Sequence, residues 1–256
     1  MVADRLPAKD PRTVARDIPG IFDALFPQLI PGIVAHFNRK AISFADCIAL
    51  PDELLRASDL NRAMLFEVAF ARGEQLIAGI EEADWDACLK IAAERQRRHF
   101  DAKLPDALAA ADKIVADWVA ENLVSMLNQI QVTAKGHLLV RSPKIPGYQW
   151  IASGSGDFSL GTRLIEVKCT NKRFSASDYR QIVMYWLLSY ASAIENGTPE
   201  WTNGILINPR LNYVLELSFD EIVAVIGAGR SKIELLQLFS SIVGECSLRM
   251  LASINE

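Results

Sequence analysis

Apolar residues recur at helical spacing through the first half of the chain and give way to short alternating runs in the second. Leu60, Met64, Phe66, Val68, Phe70 and Leu76 have the spacing of a mostly buried helix over 59–80, and another helix is predicted over about 84–100. Residues 106–131 read as one long helix with Ile114, Trp118, Leu123 and Leu127 on its stripe. Ahead of these, Pro19, Pro27 and Pro31 break 18–37 into short pieces, and Pro51-Asp52-Glu53 carries the early proline of a helix start. Strands are predicted over 136–142 and 148–152, and again over 204–208 and 213–217, the last two joined by a turn at 209–212. Between the pairs lies a helix over 177–190, capped by Ser175 with Asp178 or by Ser177. Ser218 to Glu221 starts another helix, Gly227 to Gly229 stops it, and 231–246 forms the last. The pattern predicts an α/β fold, with an all-α domain over 1–104 and a sheet-bearing domain over 105–256.

One stretch breaks the pattern. In Gly156 to Thr170, GDFSLGTRLIEVKCT, a Gly161-Thr162 turn separates two runs, and the second carries Glu166 and Lys168 inside an otherwise apolar strand. Period two puts Leu164, Glu166 and Lys168 on one face and Ile165 and Val167 on the other, with the two charges roughly 6–7 Å apart. Desolvating such charges is costly unless they are paired or bind something. A hard divalent cation supplies a reason: Mg2+ takes one or two carboxylates and keeps several waters. Asp157 and Glu166 on adjoining antiparallel strands can meet across the hairpin, with the Val167 carbonyl as a further oxygen. Lys168 beside them can hold or deprotonate an attacking water, or neutralise charge on a phosphorane-like transition state.

On the helix that follows, Gln181, Tyr185 and Leu188 share a face. Gly-Asp, a turn, Glu-Val-Lys and then Gln181-x-x-x-Tyr185 together resemble the PD-(D/E)XK nuclease superfamily, in the branch that includes RecB-type nucleases; the resemblance covers roughly 107–217. It implies a restriction-endonuclease-like mixed sheet in the order αβββαβ, flanked by helices. It also implies Asp157 and Glu166 as ligands of Mg2+ or Mn2+, Lys168 as the catalytic lysine, and Gln181 with Tyr185 as the accessory helix motif, reaching the scissile phosphate or the lysine. The family's upstream acid, on the first core helix, falls on Glu121, with Asp112 and Asp117 on the same predicted helix. The activity implied is phosphodiester hydrolysis in DNA, endo- or exonucleolytic, with RNA not excluded, in repair, restriction, mobile-element processing or defence. Partner proteins that supply a motor or specificity, and a homodimer, are compatible with it. The rival expectation is a catalytically silent nucleic-acid-binding or scaffolding subunit with the same fold.

The 256 residues, half of them hydrophobic, suffice for a substantial core, and the net charge is −4. Charge is unevenly spread. From Lys135 to Arg180 there are eight basic residues and three acidic ones, so the rest of the chain carries nine net negative charges. Such an asymmetry suits a phosphate-tracking groove, with Lys172, Arg173, Arg180 and, at the 209–212 turn, Arg210 as nucleic-acid contacts. The basic end of the 84–100 helix, ERQRRHF, reads as an ordinary helix terminus in preference to the alternative, a nucleic-acid contact. Cys47, Cys88, Cys169 and Cys246 form no CxxC pair, so free thiols are expected, without a zinc ribbon or an iron–sulfur site. No GxxxxGK[ST], HExxH or GxSxG occurs, which removes the ATP motor, histidine-based zinc and serine-triad classes. No apolar run reaches eighteen residues, and a cytoplasmic protein without a membrane span is expected.

Overall fold

A computed structural model describes residues 8–18, 20–96, 105–134 and 136–254. In chain order the helices are α1 (Pro11–Asp17), α2 (Ile21–Leu25), α3 (Pro31–Asn38), α4 (Asp52–Arg56), α5 (Arg62–Ile77), α6 (Trp85–Gln96), α7 (Ala110–Thr133), α8 (Ala176–Asn196), α9 (Phe219–Ile226) and α10 (Lys232–Ile254). The strands are β1 (Leu139–Arg141), β2 (Lys144–Ile145), β3 (Gly154–Ser155), β4 (Phe158–Leu160), β5 (Arg163–Val167), β6 (Asn203–Asn208) and β7 (Tyr213–Ser218).

Alternation along the strands builds two apolar faces. Leu164, Leu206, Leu215 and Leu217 point to one side, where they join Ile182, Leu188 and other residues of α8. Phe158, Ile165, Val167, Ile205 and Ile207 point to the other, against Leu123, Met126, Leu127 and Ile130 of α7. The sheet they share is five-stranded and mixed, in the order β1-β4-β5-β6-β7. Only β5 and β6 run parallel, because α8 carries the chain across between them. Counting strands of this sheet alone, the order from α7 onward is one helix, three strands, one helix and two strands.

The expected strand over 148–152 is instead a turn. Tyr148 and Ile151 exchange backbone hydrogen bonds of 2.9 Å, and Gln149 sits at φ 52°. Trp150 is held there by its indole N–H, which donates to Val243 O at 2.8 Å. The flanking residues pair as a separate β2-β3 ribbon.

The packing does not follow the expected division at residue 104. Val14, Phe22, Leu25 and Phe37 lie in the same core as α8 and α10. Ile42 forms an antiparallel bridge with Val214 at the sheet edge, and α5 and α6 cover the outer side of α7. The physical reason is α7 itself, which is apolar on two sides: Leu123 and Met126 meet the sheet, whereas Val115, Ala116 and Val119 need α5 and α6 to cover them. Ile114, expected on the stripe, is 53 % exposed. The basic run after Gln96 and Lys135 lie outside the described residues. Among the described residues no helix is long and apolar enough to cross a membrane.

The seat of α8 depends on Gly204 of β6, where an added Cβ would lie 2.8 Å from Ile182 Cδ1 and 2.9 Å from Phe219 Cζ. Gly204→Ala is therefore expected to destabilise the fold by about 1–3 kcal/mol through overpacking. A thermal melt checks this, with Tm lowered by roughly 2–10 °C.

Candidate active site

The β4-β5 register pairs Phe158 with Ile165, so the next residues along, Asp157 and Glu166, stand opposite each other at the mouth of the hairpin. Asp157 immediately precedes β4. Its Oδ2 accepts the Val167 N–H at 2.7 Å, which anchors the carboxylate to the end of β5. Glu166 lies on the α8 side of the sheet and is only 1 % exposed.

Helix α8 supplies what Glu166 faces. The helix starts firmly: Asp178 Oδ2 accepts from both the N–H and the hydroxyl of Ser175 at 2.8 Å, and Gly197 closes the far end at φ 67°. One turn in, Gln181 Nε2 donates to Glu166 Oε2 at 2.7 Å and to the Tyr185 hydroxyl at 3.1 Å, while Gln181 Oε1 accepts from Lys168 Nζ at 2.9 Å. Lys168 Nζ also lies 3.4 Å from Glu166 Oε2. The amide thus presents its oxygen to the ammonium and its nitrogen to the carboxylate, the orientation that both charges require. Five polar side chains of the hairpin and α8 form this site: Asp157, Glu166, Lys168, Gln181 and Tyr185.

One atom in it is unsatisfied. Glu166 Oε1 is buried and has no hydrogen-bond partner. It faces Gly156, where an added Cβ would stand 3.3 Å away, so glycine keeps that side of the oxygen open. Burial, and then the Asp157 charge, push the Glu166 carboxyl up to about 8 despite Lys168. Burial raises Asp157 as well, opposed by Lys168 and the Val167 N–H. The Tyr185 hydroxyl is also raised, by burial and then by the two carboxylates, so it stays protonated and neutral.

A third acid approaches from α5. Glu67 is raised by burial and feels both Arg95 and Asp157. Arg95 of α6 lies 3.7 Å from Glu67 and 2.8 Å from Glu74, and Arg12 of α1 acts on Asp157, Glu67 and Tyr185. None of these three was expected beside the carboxylates, although Arg95 belongs to the ERQRRHF run weighed as a nucleic-acid contact. Glu67 had a local signal: it is the single charge within Met64-Leu65-Phe66-Glu67-Val68-Ala69-Phe70.

Glu121, expected as the upstream acid, is not brought to this cluster. It is exposed on α7 and borders a surface groove with Asp46, Ser125, Asn128 and Gln129. The other two acids of that helix are committed elsewhere, Asp112 to Ser58 Oγ at 2.7 Å and Asp117 to Arg72 at 2.8 Å. Among the nucleic-acid contacts expected, Lys172 and Arg173 are exposed, with Arg173 over the Tyr213 ring at 5.7 Å. Arg180 is half-buried and paired with Asp23 at 2.9 Å. Arg210 corrects its expectation: it is 5 % exposed, because residues 47–50 close over the β6-β7 turn. Leu50 N–H donates to Arg210 O at 2.8 Å, and Asn212 Nδ2 donates to Cys47 O at 2.7 Å.

Among the described residues no three His, Cys, Asp or Glu side chains converge at ligand spacing. The carboxylates available are the Asp157–Glu166 pair, within the number that Mg2+ accepts when it retains water, and the unpartnered Glu166 Oε1 is an oxygen of the hard type such an ion takes. The residues therefore fit a divalent cation. The four cysteines are free. Comparison with protein-family models, with curated proteins and with solved structures finds no match to this chain.

Proposed function

We propose that this chain is a metal-dependent nuclease of the PD-(D/E)XK kind, with a restriction-endonuclease-like core, that hydrolyses phosphodiester bonds in DNA. The observation that carries the reading is the buried, unpartnered Glu166 Oε1, set beside a second carboxylate and a buried lysine. A buried carboxyl oxygen without a partner in a closed site costs free energy unless a ligand fills it. The helix and strand order from α7, and the bonded pair Gln181 and Tyr185, support the same reading.

Asp157 and Glu166 would hold Mg2+ or Mn2+, with the Val167 carbonyl as a further oxygen. The cation, when bound, would supply Lewis-acid polarisation of a phosphate oxygen and ease deprotonation of water. The chain's own residues do the remaining work. Lys168 places a fixed positive charge where the phosphate gains negative charge during in-line displacement. Gln181 fixes the Lys168 ammonium, and Tyr185 fixes the Gln181 amide.

The test is incubation of the purified protein with supercoiled plasmid in Mn2+, with chelator and with Asp157→Asn as controls. Wild type is expected to nick or linearise the plasmid, and Asp157→Asn to be slower by roughly a hundredfold or more. A wild type that binds DNA equally with and without Mn2+ and cuts neither DNA nor RNA would instead make the chain a silent binding subunit.

A further inference from the structure

Helix α1 lies along α8. Arg16 in its last turn reaches Ser177 Oγ at 2.7 Å and Asp178 Oδ1 at 3.3 Å, and Val14 and Ala15 are buried in the core that α8 shares. The residues before it are pinned to the segment leading into β4. Ala152 N–H donates to Lys9 O at 2.9 Å, Lys9 bridges Ile151, and an added Cβ on Gly154 would meet Pro11 Cδ at 3.0 Å. Arg12 lies one turn before Arg16, on the same side of the helix, and next to Pro11, which packs on Gly154 three residues before Asp157. It is exposed, and among the described residues it makes no ion pair, although three groups of the site feel its charge. On α6, Arg95 Nη1 is buried without a hydrogen-bond partner.

The charge balance gives these guanidiniums a use. Without a cation, Asp157, Glu166 and Glu67 offset Lys168, Arg12 and Arg95. Arg95 also pairs with Glu74, so with a divalent cation on the carboxylates one positive charge is left over, and a phosphodiester anion is the substrate group that answers it. Guanidinium matches phosphate in geometry as well as sign.

We propose that Arg12 and Arg95, approaching from α1 and α6, are the phosphate clamp of this site and bind the non-bridging oxygens of the nucleic-acid phosphate presented to Asp157 and Glu166. The clamp rests on the nuclease reading above. On this assignment the helical segment ahead of the sheet holds the substrate, in place of the basic residues of 172–210.

The experiment measures binding of a short fluorescent DNA duplex across a salt series, with Ca2+ replacing Mg2+ so that nothing is cut, together with Mn2+-dependent thermal shifts and cleavage rates. Arg12→Gln is expected to weaken binding about tenfold and to reduce the salt slope by about one, and the double variant with Arg95→Gln by about two. The Mn2+ shift of Arg12→Gln should match wild type. Arg12→Lys should keep the slope but recover only part of the cleavage rate, since an ammonium lacks the fork. An unchanged affinity and slope in Arg12→Gln overturns the clamp and leaves the nuclease reading standing. Loss of the Mn2+ shift in Arg12→Gln also overturns it, because the arginine would then serve the carboxylates. A wild type with neither Mn2+ shift nor cleavage overturns both.

Discussion

Lys168→Met is expected to slow single-turnover cleavage by about a thousandfold while leaving a folded protein. Methionine keeps most of the volume of a side chain that is only 9 % exposed, so the packing between β5 and α8 survives. What disappears is the ammonium that donates to Gln181 and stands by Glu166. Two effects follow and can be separated. Glu166 loses the charge that held its proton affinity down, so more Mn2+ is needed for half-maximal thermal shift at neutral pH, and raising the pH restores it. The cleavage rate at saturating Mn2+ does not recover with pH, because the missing charge acted on the phosphate. A Lys168→Met protein that regains wild-type rate at high pH would limit Lys168 to tuning its neighbour.

Glu166→Gln carries the second large effect, on stability as well as activity. The Glu166 carboxyl titrates near 8 in the folded chain against an ordinary 4.5, so the folded state holds its proton more tightly than the unfolded state. The stability linked to that proton is fully present below the ordinary value and is lost as pH rises through the folded one. Metal-free wild type should therefore lose stability, on the order of a few kcal/mol, between about pH 5 and about pH 8. Mn2+ should reverse that loss, and more strongly at the alkaline end, where it no longer competes with a proton. Glu166→Gln keeps an acceptor for Gln181 Nε2 but cannot ionise. Its metal-free Tm should exceed that of wild type near pH 8 and match it near pH 5, with no Mn2+ shift and no measurable cleavage. Differential scanning calorimetry at several pH values, with and without Mn2+, checks all of these. Parallel pH curves for the two proteins would count against Glu166 as the titrating group.

The parts of the site legible in the sequence are those whose geometry is local. Glu166 and Lys168 interrupt an apolar strand with period two, Asp157 stands across a short hairpin from them, and Gln181 and Tyr185 are one helical turn apart. Chain periodicity alone brings such residues to one face. Glu121 was misjudged because an acid on a helix surface looks the same in sequence whether it meets a sheet or water. The burial of Arg210 is decided by Cys47 and Leu50, which no pattern near residue 210 announces. Arg12 and Arg95 reach the site only through tertiary packing. The fold behaves likewise: β5, α8, β6 and β7 were legible from their own periods, whereas the merging of the first hundred residues with the sheet depends on both sides of α7 being apolar.

The bridge between Lys9 and Ile151 and the bonds from Arg16 to Ser177 and Asp178 have a consequence for synthesis on the ribosome. Helix α1 is translated before the elements it docks on, which emerge well over a hundred residues later. Until α8 and β6 are complete, Val14, Phe22 and Phe37 lack the surface they pack on in the fold and stay open to water. Formation of the site is then a late event dominated by distant contacts, slow by the standards of helical proteins and exposed to aggregation in the interval.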